Sequence, residues 1–517
     1  MINRILKFKN LYKLLIFIPL IFYFGKRSYI AFDEGFYALQ ARWILDKGNW
    51  SIPLWWDGYF LDRTIGLQFL IAKSQEIFGR NMFAAYLPTT AAAILMLFTT
   101  YKMHEEFFNK TYAIISPLIL ATTYLWFDYS HLATQDIIYS CLVTIGIFSL
   151  VKIKSKDNKL YILLFGIWIG LSFMMKTFLV FVPLLSLLPY LFIKKNILFS
   201  KFFWLGLLIG FIPYLFWALS INPYLEKNII FYLVEKFNIL SNKNNFTNPF
   251  YYYLWNIPVT YLPWSIFAII GMSYNFHESK ENKYILVFFP LTLIAILSIF
   301  STKTPYYTLQ ISSIFSLNTY VGIKYLFNYQ RYKLIFVFIT SKIIPLFIFC
   351  LTFTYYFFFK NITNFNSKEN TFLILGLLFF GLSWSFIKHK NSFTEILIAL
   401  IIGPYLLTSF VLQSGLFTDR SRELREQMEY ISSIDIVKNQ KINVIKSGIN
   451  NSISQSKIIR ISLLTPKLGE RLEGIDQLKK SELAWSTEFR EIKNNNYVYE
   501  VIYENDILKP WKLIIKK

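Results

Sequence analysis

The chain has 517 residues, of which 55% are hydrophobic, 20% are aromatic and only 16% are charged. This composition argues against a single large soluble core and predicts a protein embedded in lipid. The formal net charge of +22 would suggest a nucleic-acid partner in a soluble protein. In a membrane protein, Lys and Arg collect at the membrane edges, so we expect a lipid bilayer and no nucleic acid as partner.

Neither a disulfide nor a cysteine metal site is expected. The two cysteines, Cys141 and Cys350, each lie inside an apolar run, where a thiol behaves as a small hydrophobic group. The basic start MINRILKFKNLYK precedes an apolar stretch that lacks a small-residue cleavage site. We therefore interpret it as a retained first helix.

Apolar runs of spanning length recur along the chain. A membrane-spanning helix needs about 20 mainly apolar residues, and we predict thirteen such helices, centred near residues 20, 92, 120, 144, 168, 186, 210, 266, 292, 315, 347, 379 and 403. With an inner N-terminus, loops such as KKNILFSK and KIKSKDNK fall inside and are rich in Lys. The loops FDYSHLATQD and STKTPYY fall outside and contain no Lys or Arg and one Lys, respectively. Because basic residues favour the inner side, we predict an inner N-terminus and an outer C-terminus.

Two long loops then lie on the outer side. The first, residues 30–81, contains two predicted amphipathic helices of the membrane interface. One runs from Asp33 to Gly48, and the other runs from an N-cap at Thr64 to Gly79. The second loop, residues 220–257, is dense in Tyr, Phe and Asn.

The tail changes composition after Phe417 and predicts a small outer α/β domain. The stretch DRSRELREQMEYISS is typical of a polar helix, and KINVIK, KIIRISLL, YVYEVIYE and WKLIIKK alternate like strands. We therefore divide the chain into a membrane domain of residues 1–415 and a soluble domain of residues 416–517.

Ionisable residues gather on one side of the membrane in this topology. The middles of the spans carry almost no charge, which favours a polar cavity at the outer face over an ion path through the bilayer. The residues on the outer side are Asp33, Glu34, Asp62, Arg63, Asp128, His131, Asp136, Lys176, Glu235, Lys236 and Lys303.

Each of these charges also has a simpler interpretation. Asp33 and Asp136 could serve as helix caps. Lys176 could extend from a helix end towards the interface, and Asp62 with Arg63 could form a local surface pair. What favours a shared site is that several separate loops supply both signs of charge to one face.

Such a face suits a substrate with an apolar tail and an anionic head, for example a polyprenyl-phosphate sugar. When an acceptor attacks the anomeric carbon and the phosphate leaves, cations stabilise the growing negative charge. Arg63, Lys176 and Lys303 are the candidates. His131 near Asp128 indicates a metal only weakly, and we predict no metal site.

A carboxylate could accept the proton of the acceptor hydroxyl, provided that it lies within hydrogen-bond distance of that hydroxyl. Asp33 is the first choice for this base. Glu34 and Asp136 are alternates, either as base or for holding the sugar.

The stretch FDEGFYALQARWILDKGNWSIPLWWDGYFLDRTIGLQFLIAKSQEIFG resembles the first outer loop of the GT-C glycosyltransferases. The similar branch contains the bacterial lipid A aminoarabinose transferases and relatives of the protein O-mannosyltransferase type. The matching positions are Asp33-Glu34, Tyr37-Ala38, Gly48 to Trp50, Pro53, Tyr59-Phe60 and Phe78-Gly79. Later matches in the same order are LATQDII with Asp136, MMKTF with Lys176, LVEKFN with Glu235, and STKTPYYTL with Lys303.

Two positions depart from the family pattern. Arg63 stands where the family has a Lys followed by Pro, which keeps the charge but offers a planar fork to a phosphate. Lys236 stands where the family has a His, so the role of that imidazole does not carry over.

The resemblance implies an enzyme of the bacterial inner membrane with GT-C architecture. It would move a sugar from a polyprenyl-phosphate carrier to an acceptor (lipid A, another glycolipid, a glycan or a protein) at the outer face, with inversion and without metal or other cofactor. The implied catalytic residues are Asp33, Glu34 and Asp136; the donor phosphate would meet Arg63, Lys176 and Lys303; further substrate contacts would be Asp62, Tyr37, Glu235 and Tyr59.

Two other classes remain open from the sequence. A lipid or sugar transporter or flippase would carry ionisable residues near the middle of its spans and paired broken helices. A non-catalytic scaffold would leave the outer charges without a common task.

Overall fold

The computed structural model describes residues 12–56, 58–61, 63–153, 158–241, 247–360, 365–446, 452–487 and 499–517. The chain forms two compact units. We call Met1–Gly25, Leu61–Gly66 and Pro88–Phe417 the helical unit, and Lys26–Phe60, Leu67–Leu87 and Thr418–Lys517 the mixed unit.

The helical unit consists mainly of helices. Its α-helices are Tyr12–Leu15, Ile18–Ile21, Met82–Phe107 (from Pro88 onwards), Ile115–Ala121, Tyr124–Tyr129, Gln135–Lys152, Lys159–Lys176, Phe181–Ser186, Leu188–Ile193, Lys201–Ile221, Ile229–Ser241, Tyr252–Thr260, Ser265–Glu278, Phe289–Ile299, Ser312–Asn328, Gln330–Phe338, Ile344–Thr354, Ser367–Ser385 and Phe393–Ser414. Short 3₁₀ segments cover Thr177–Val180, Lys195–Ile197, Asn222–Tyr224 and Pro305–Ile311, and π-helical turns cover Tyr284–Phe288, Ile339–Ile343 and Tyr355–Phe359.

This is a multi-span membrane protein, although the predicted count of thirteen spans is not confirmed. By length and composition, six helical stretches among the described residues could cross a membrane: Met82–Phe107, Gln135–Lys152, Lys159–Ser186, Lys201–Tyr224, Gln330–Phe359 and Phe393–Ser414. A seventh arises if Tyr252–Thr260 and Ser265–Glu278, bent by 113°, count as one span. The runs centred near 168 and 186 merge into one stretch, and the run near 120 forms a helix of only 7 residues.

Small residues let two helices of this unit approach closely. On Lys159–Lys176 and Lys201–Ile221, a Cβ added at Gly170 would lie 2.2 Å from the carbonyl carbon of Gly210, and one at Gly206 would lie 2.1 Å from the carbonyl oxygen of Leu163. Backbone contact of this kind is a common means of helix association in lipid, where apolar side chains alone give little preference for protein over lipid. It fixes the position of the helix that ends at Lys176.

The mixed unit contains a two-stranded hairpin and a five-stranded sheet. The hairpin pairs β1 (Leu54–Trp55) with β2 (Gly58–Tyr59). The sheet has the order β4-β3-β5-β7-β6, with strands β3 (Ile442–Ile445), β4 (Leu468–Leu472), β5 (Leu483–Ser486), β6 (Tyr499–Tyr503) and β7 (Lys512–Lys516). β3 runs parallel to β4 and β5, whereas β7 runs antiparallel to β5 and β6. The helices are Asp33–Lys47, Gly66–Phe78 (from Leu67 onwards), Arg422–Ser433, Asp435–Asn439 and Ser452–Leu464.

The first-loop helix Asp33–Lys47 packs against the tail. Leu39, Trp43 and Trp56 share one buried apolar cluster with residues of the tail sheet and its helices. The Arg42 guanidinium donates to the carbonyls of Ser462 at 2.9 Å and Thr465 at 2.7 Å. The compact units thus group residues 26–60 and 67–87 with the tail, whereas the sequence division placed them with residues 1–415.

Most of the short-range predictions for these segments are confirmed. The first helix ends at Lys47, and Gly48 follows in the left-handed region with φ 68°, as expected for a residue that ends a helix. The second helix begins at Gly66 rather than at Thr64. The Thr64 hydroxyl donates to the carbonyl of Met174 at 2.7 Å, so the predicted N-cap at Thr64 is wrong.

The tail contains one helix where a strand was predicted. KIIRISLL lies in the helix Ser452–Leu464, because its buried residues Ile458, Ile459, Ile461 and Ser462 repeat at the spacing of one helical face. The helix of DRSRELREQMEYISS and the strands of KINVIK, YVYEVIYE and WKLIIKK are confirmed. The strands β4 and β5 were not predicted.

Candidate functional site

An ion pair joins Asp136 and Lys176 in the helical unit. The Lys176 ammonium lies 2.8 Å from Asp136 Oδ1, and the two side chains are only 13% and 10% exposed. Asp136 lies in the first turn of Gln135–Lys152 and Lys176 in the last turn of Lys159–Lys176, the ends at which each charge is favoured by the helix dipole. Thr134 occupies the N-cap position, so Asp136 is not the cap that its position allowed.

Aromatic rings lie beside this pair. The Lys176 ammonium is 5.2 Å from the ring centroid of Tyr306, a distance at which the ring quadrupole attracts a cation. Tyr129 packs on Tyr306 with ring centroids 5.6 Å apart. The ammonium is therefore held by a carboxylate and by an aromatic ring from a third segment.

The segment that carries Arg63 packs against the same helix end. The neighbouring Thr64 hydroxyl donates to the carbonyl of Met174, and a Cβ added at Gly66 would lie 2.6 Å from that same oxygen. This close approach requires glycine at position 66. It places the half-buried Arg63 on a segment anchored two residues before Lys176.

The backbone is strained immediately after Lys176. Thr177 has φ 49° and ψ −129°, a conformation that a β-branched residue rarely adopts. The Tyr139 hydroxyl donates to the carbonyl of Leu179 at 2.8 Å and so ties this turn to the helix of Asp136. Strain of this kind costs about 1–3 kcal/mol and persists at functional sites where the surroundings enforce it.

Lys303 is buried and binds backbone carbonyls. Its ammonium donates to Asn248 at 2.9 Å and to Phe300 at 2.5 Å, while the Asn248 amide donates back to the carbonyl of Lys303 at 2.9 Å. Burial lowers the pKa of Lys303 from its usual 10.5. The side chain therefore fastens the segment around Asn248 to its own segment, and two of its three N–H bonds serve that purpose.

The helix that carries Glu235 packs on both lysine segments. Phe237 contacts Phe178, two residues after Lys176, at 5.7 Å between ring centroids, and Phe300 at 6.1 Å. Glu235 itself is exposed on this helix, Ile229–Ser241. The helical unit thus brings together the segments of Asp136, Lys176, Arg63, Lys303 and Glu235, which are far apart in sequence.

The adjacent carboxylates of the mixed unit have different surroundings. Glu34 is fully buried, and its Oε2 accepts a hydrogen bond from the Ile30 amide at 2.8 Å. Burial, with the nearby charge of Glu34, raises the pKa of Tyr29 above its usual 10. Asp33 is exposed in the first turn of its helix, whose N-cap residue is Phe32. Of the two, Asp33 is the carboxylate that a substrate can reach.

The remaining predicted contacts are divided between buried and exposed positions. Tyr37 is 5% exposed within the helix Asp33–Lys47, whereas Tyr59 on β2 is 49% exposed. Asp62 lies outside the described residues. Among the residues that the structure describes, no group of three or more His, Cys, Asp or Glu could hold a metal ion.

Sequence reasoning missed the tyrosines around Lys176. Tyr306 follows Lys303 by three residues inside the STKTPYY stretch, and Tyr129 follows Asp128 in FDYSHLATQD. Both stretches had been singled out for their charges. An aromatic residue beside each charged one was the available signal, but aromatic residues are so frequent in this chain that they carried little information.

Part of the chain matches a known protein family and named relatives. Residues 62–217 match the dolichyl-phosphate-mannose-protein mannosyltransferase family. The undecaprenyl phosphate-alpha-4-amino-4-deoxy-L-arabinose arabinosyl transferase of Wigglesworthia glossinidia brevipalpis is 28% identical over 296 residues, covering 54% of this chain and 51% of that protein. The protein of the same name from Enterobacter sp. (strain 638) is 26% identical over 296 residues, covering 54% and 52%.

The fold is also similar to that of a solved structure. ArnT from Cupriavidus metallidurans bound to undecaprenyl phosphate superimposes with a TM-score of 0.77 at 12% identity, over 99% of this chain and 98% of that one. In sequence, the chain spans about half the length of the curated relatives that it matches.

The resemblance to GT-C glycosyltransferases of the aminoarabinose-transferase-like branch is confirmed by these relatives and by the fold. The predicted fold class, a polytopic helical membrane protein of GT-C architecture with a small α/β part, is likewise confirmed.

Proposed function

We propose that this protein is a glycosyltransferase that moves a sugar from a polyprenyl-phosphate carrier to an acceptor hydroxyl at the outer face of the bacterial inner membrane. The observation that carries the proposal is the Asp136–Lys176 pair beside Tyr306, with the segment of Arg63 anchored to the same helix end, in a chain of GT-C fold. The names of the relatives make undecaprenyl phosphate-alpha-4-amino-4-deoxy-L-arabinose the first donor to test. The first-loop resemblance to lipid A aminoarabinose transferases makes lipid A the first acceptor to test, before other glycolipids, glycans or proteins.

The donor phosphate binds to Lys176 and Arg63 in this proposal. The acceptor oxygen forms a bond with the anomeric carbon as the bond from that carbon to the phosphate oxygen breaks, so negative charge grows on the leaving phosphate. Cations placed beforehand stabilise that charge more in the transition state than in the ground state. Because Asp136 and Tyr306 already hold the Lys176 ammonium in place, this ammonium needs little reorganisation during the reaction.

Two lysines then have different tasks. The Lys176 ammonium contacts the side chains of Asp136 and Tyr306 and is the phosphate ligand. Lys303 holds two backbone carbonyls, so it mainly positions the segment that leads to Tyr306 and offers at most its remaining N–H bond to the donor. No metal is required, since the cationic side chains supply the charge stabilisation.

Asp33 is the general base in this proposal. It is exposed, whereas Glu34 is buried against the Ile30 amide and maintains the start of the helix. The acceptor proton therefore passes to Asp33, and the product phosphate leaves as the anion.

The test is transfer by the full-length protein in lipid nanodiscs, with the donor and lipid A named above, followed by mass spectrometry of the lipids. We expect Lys176→Met and Asp33→Asn to lower turnover by about 100-fold or more, the usual effect of removing one charge-stabilising or proton-accepting group. EDTA should leave turnover unchanged. Lys152→Met is the matched control, because Lys152 forms an ion pair with Glu106 at the opposite end of the helix of Asp136.

Two results would contradict the proposal. One is wild-type protein that consumes none of a panel of polyprenyl-phosphate sugars. The other is an Asp33→Asn, Lys176→Met double variant that turns over like wild type. If proteoliposomes moved the donor lipid between leaflets without forming a new glycosidic bond, the transporter alternative would replace this function.

A further inference from the structure

The mixed unit contains an open cleft of about 620 Å³ that the proposed transfer chemistry does not use. Its walls come from the end of the helix Asp33–Lys47, from Trp56, from strands β3 and β4, and from the loop before β5. This volume lies within the range of about 300–1,000 Å³ that is usual for small-molecule sites. The cleft therefore has room for a ligand of several rings.

The charge of the lining is nearly balanced, although the whole chain carries +22. Four Lys or Arg side chains and three Asp or Glu side chains line the cleft, together with amides and two Trp residues. A site for a polyanion would need an excess of cations, and an apolar ligand would need fewer charges. The lining suits a polar ligand with little net charge.

The polar groups of the cleft are held in place before a ligand arrives. The Asn443 amide accepts from the Glu470 backbone at 2.9 Å and donates to Glu482 Oε2 at 3.4 Å, and the same carboxylate oxygen accepts from the Lys479 amide at 3.1 Å. A Cβ added at Gly469 would lie 2.1 Å from Asn443 Oδ1. Glycine at this position therefore lets the Asn443 amide reach its partners.

One acceptor in the lining has no protein partner among the described residues. Gln440 Oε1 is buried from solvent and accepts no hydrogen bond there, while Gln440 itself lines the cleft. A buried oxygen without a donor costs about 1–3 kcal/mol. Because this oxygen is not accessible from the cleft, it marks strain in the cleft wall rather than a ligand contact.

The lining also contains strained backbone. Trp56 and Ser481 have φ 60° and 65°, and only one other non-glycine residue in the described part of the chain has a positive φ, namely Thr177. Non-glycine residues in this region are uncommon and cluster at functional sites. Trp56 also packs on Trp43 at 5.3 Å between ring centroids and lies 5.7 Å from the Arg471 guanidinium carbon.

We propose that this cleft binds an oligosaccharide of low net charge. A sugar ring presents hydroxyls that both donate and accept, which match the fixed carboxylate of Glu482 and the polar side chains of the lining. Its C–H face matches the guanidinium surface of Arg471, which lies over the buried Trp56 ring. Neither Asp136 nor Lys176 lines the cleft, and the proposal is tested by binding alone.

The test is binding of the full-length protein, in detergent, to an array of oligosaccharides of bacterial envelopes, with inorganic phosphate as competitor. We expect the wild type to bind at least one glycan and Glu482→Gln to bind it about tenfold more weakly, as for the loss of a charged hydrogen bond. Glu473→Gln is the matched control, since Glu473 pairs with Lys446 and does not line the cleft. Gly469→Ala, which adds one methyl group against Asn443, should weaken binding in the same direction.

Each of three outcomes would overturn the proposal. The wild type could bind no glycan on the array, or Glu482→Gln and Gly469→Ala, with unchanged melting temperatures, could both bind as wild type does. In the third outcome, inorganic phosphate at equal concentration displaces the glycan, which would make the cleft an anion site.

Discussion

Removing both charges of the Asp136–Lys176 pair separates its part in stability from its part in transfer. At 2.8 Å and an effective dielectric constant of about 20, the Coulomb attraction between two unit charges is about 6 kcal/mol. Most of this attraction offsets the cost of removing the two charges from water. The pair as a whole therefore adds little stability, whereas one charge left alone costs about 3–5 kcal/mol.

The expected results follow from this difference. Lys176→Met leaves the Asp136 carboxylate alone, so we expect a lower melting temperature and a loss of transfer. Lys176→Met with Asp136→Asn removes both charges, so we expect the melting temperature to recover to near the wild-type value. Transfer should stay at least about 100-fold below wild type, because the leaving phosphate still lacks its cation.

The assays are thermal unfolding in nanodiscs and transfer to lipid A from the same preparations. The pair between Lys152, on the helix of Asp136, and Glu106, on the helix Met82–Phe107, supplies the control. Its variants are Lys152→Met alone and Lys152→Met with Glu106→Gln. These control variants should change stability but not turnover per folded protein. Recovery of transfer together with stability in the Asp136→Asn, Lys176→Met protein would refute the reasoning, because the pair would then be structural only.

Three further predictions follow from single residues. Thr177→Gly should raise the free energy of unfolding by about 1 kcal/mol, because glycine relieves the strain of the positive φ, but it should lower turnover, because the Lys176 side chain is no longer held in one direction. Denaturant unfolding and transfer assays measure the two effects. Unchanged turnover would contradict the positioning role of Thr177. Gly170→Ala should lower the free energy of unfolding by about 1–3 kcal/mol, since its Cβ would lie 2.2 Å from the Gly210 backbone. Gly474→Ala, which has open space around it, should lower it less. Equal melting temperatures of the two variants would contradict the close packing. Folding lowers the pKa of Lys303 from 10.5, so below pH 10.5 the unfolded chain binds more protons than the folded one and the free energy of unfolding rises with pH. The difference in free energy of unfolding between wild type and Lys303→Met should therefore grow between pH 8 and about pH 10.5. A difference that stays flat would exclude the lowered pKa.

Much of the local structure was predictable because it depends on nearby residues. The helix Asp33–Lys47 and its end at Gly48 follow from the apolar spacing and from the ease with which glycine adopts a positive φ. The strands of KINVIK and WKLIIKK follow from alternation over a few positions. The strand predicted for KIIRISLL was wrong, because periodicity in a short apolar run does not distinguish a strand from a helix. Packing within the mixed unit selects the helix.

The candidate site was predicted in its residue types but not in its arrangement. Charge placement and the first-loop resemblance selected Asp136, Lys176 and Lys303. From the sequence, these three residues are equal candidates. In the structure, the Lys176 ammonium contacts a carboxylate and an aromatic ring, whereas the Lys303 ammonium binds backbone carbonyls. Which partner a lysine meets depends on segments far away in the chain, so composition and spacing are silent on it.

The sequence by itself determined that this is a membrane protein, that its apolar runs form helices, and which family its first loop resembles, because hydrophobicity and short motifs are local properties. Only the tertiary structure decided that residues 40 positions apart form the Asp136–Lys176 pair, that Tyr306 lies beside it, and that the first-loop helix packs on the tail sheet with its cleft. These are non-local contacts, and their free energy arises only when distant segments bury surface and charge together.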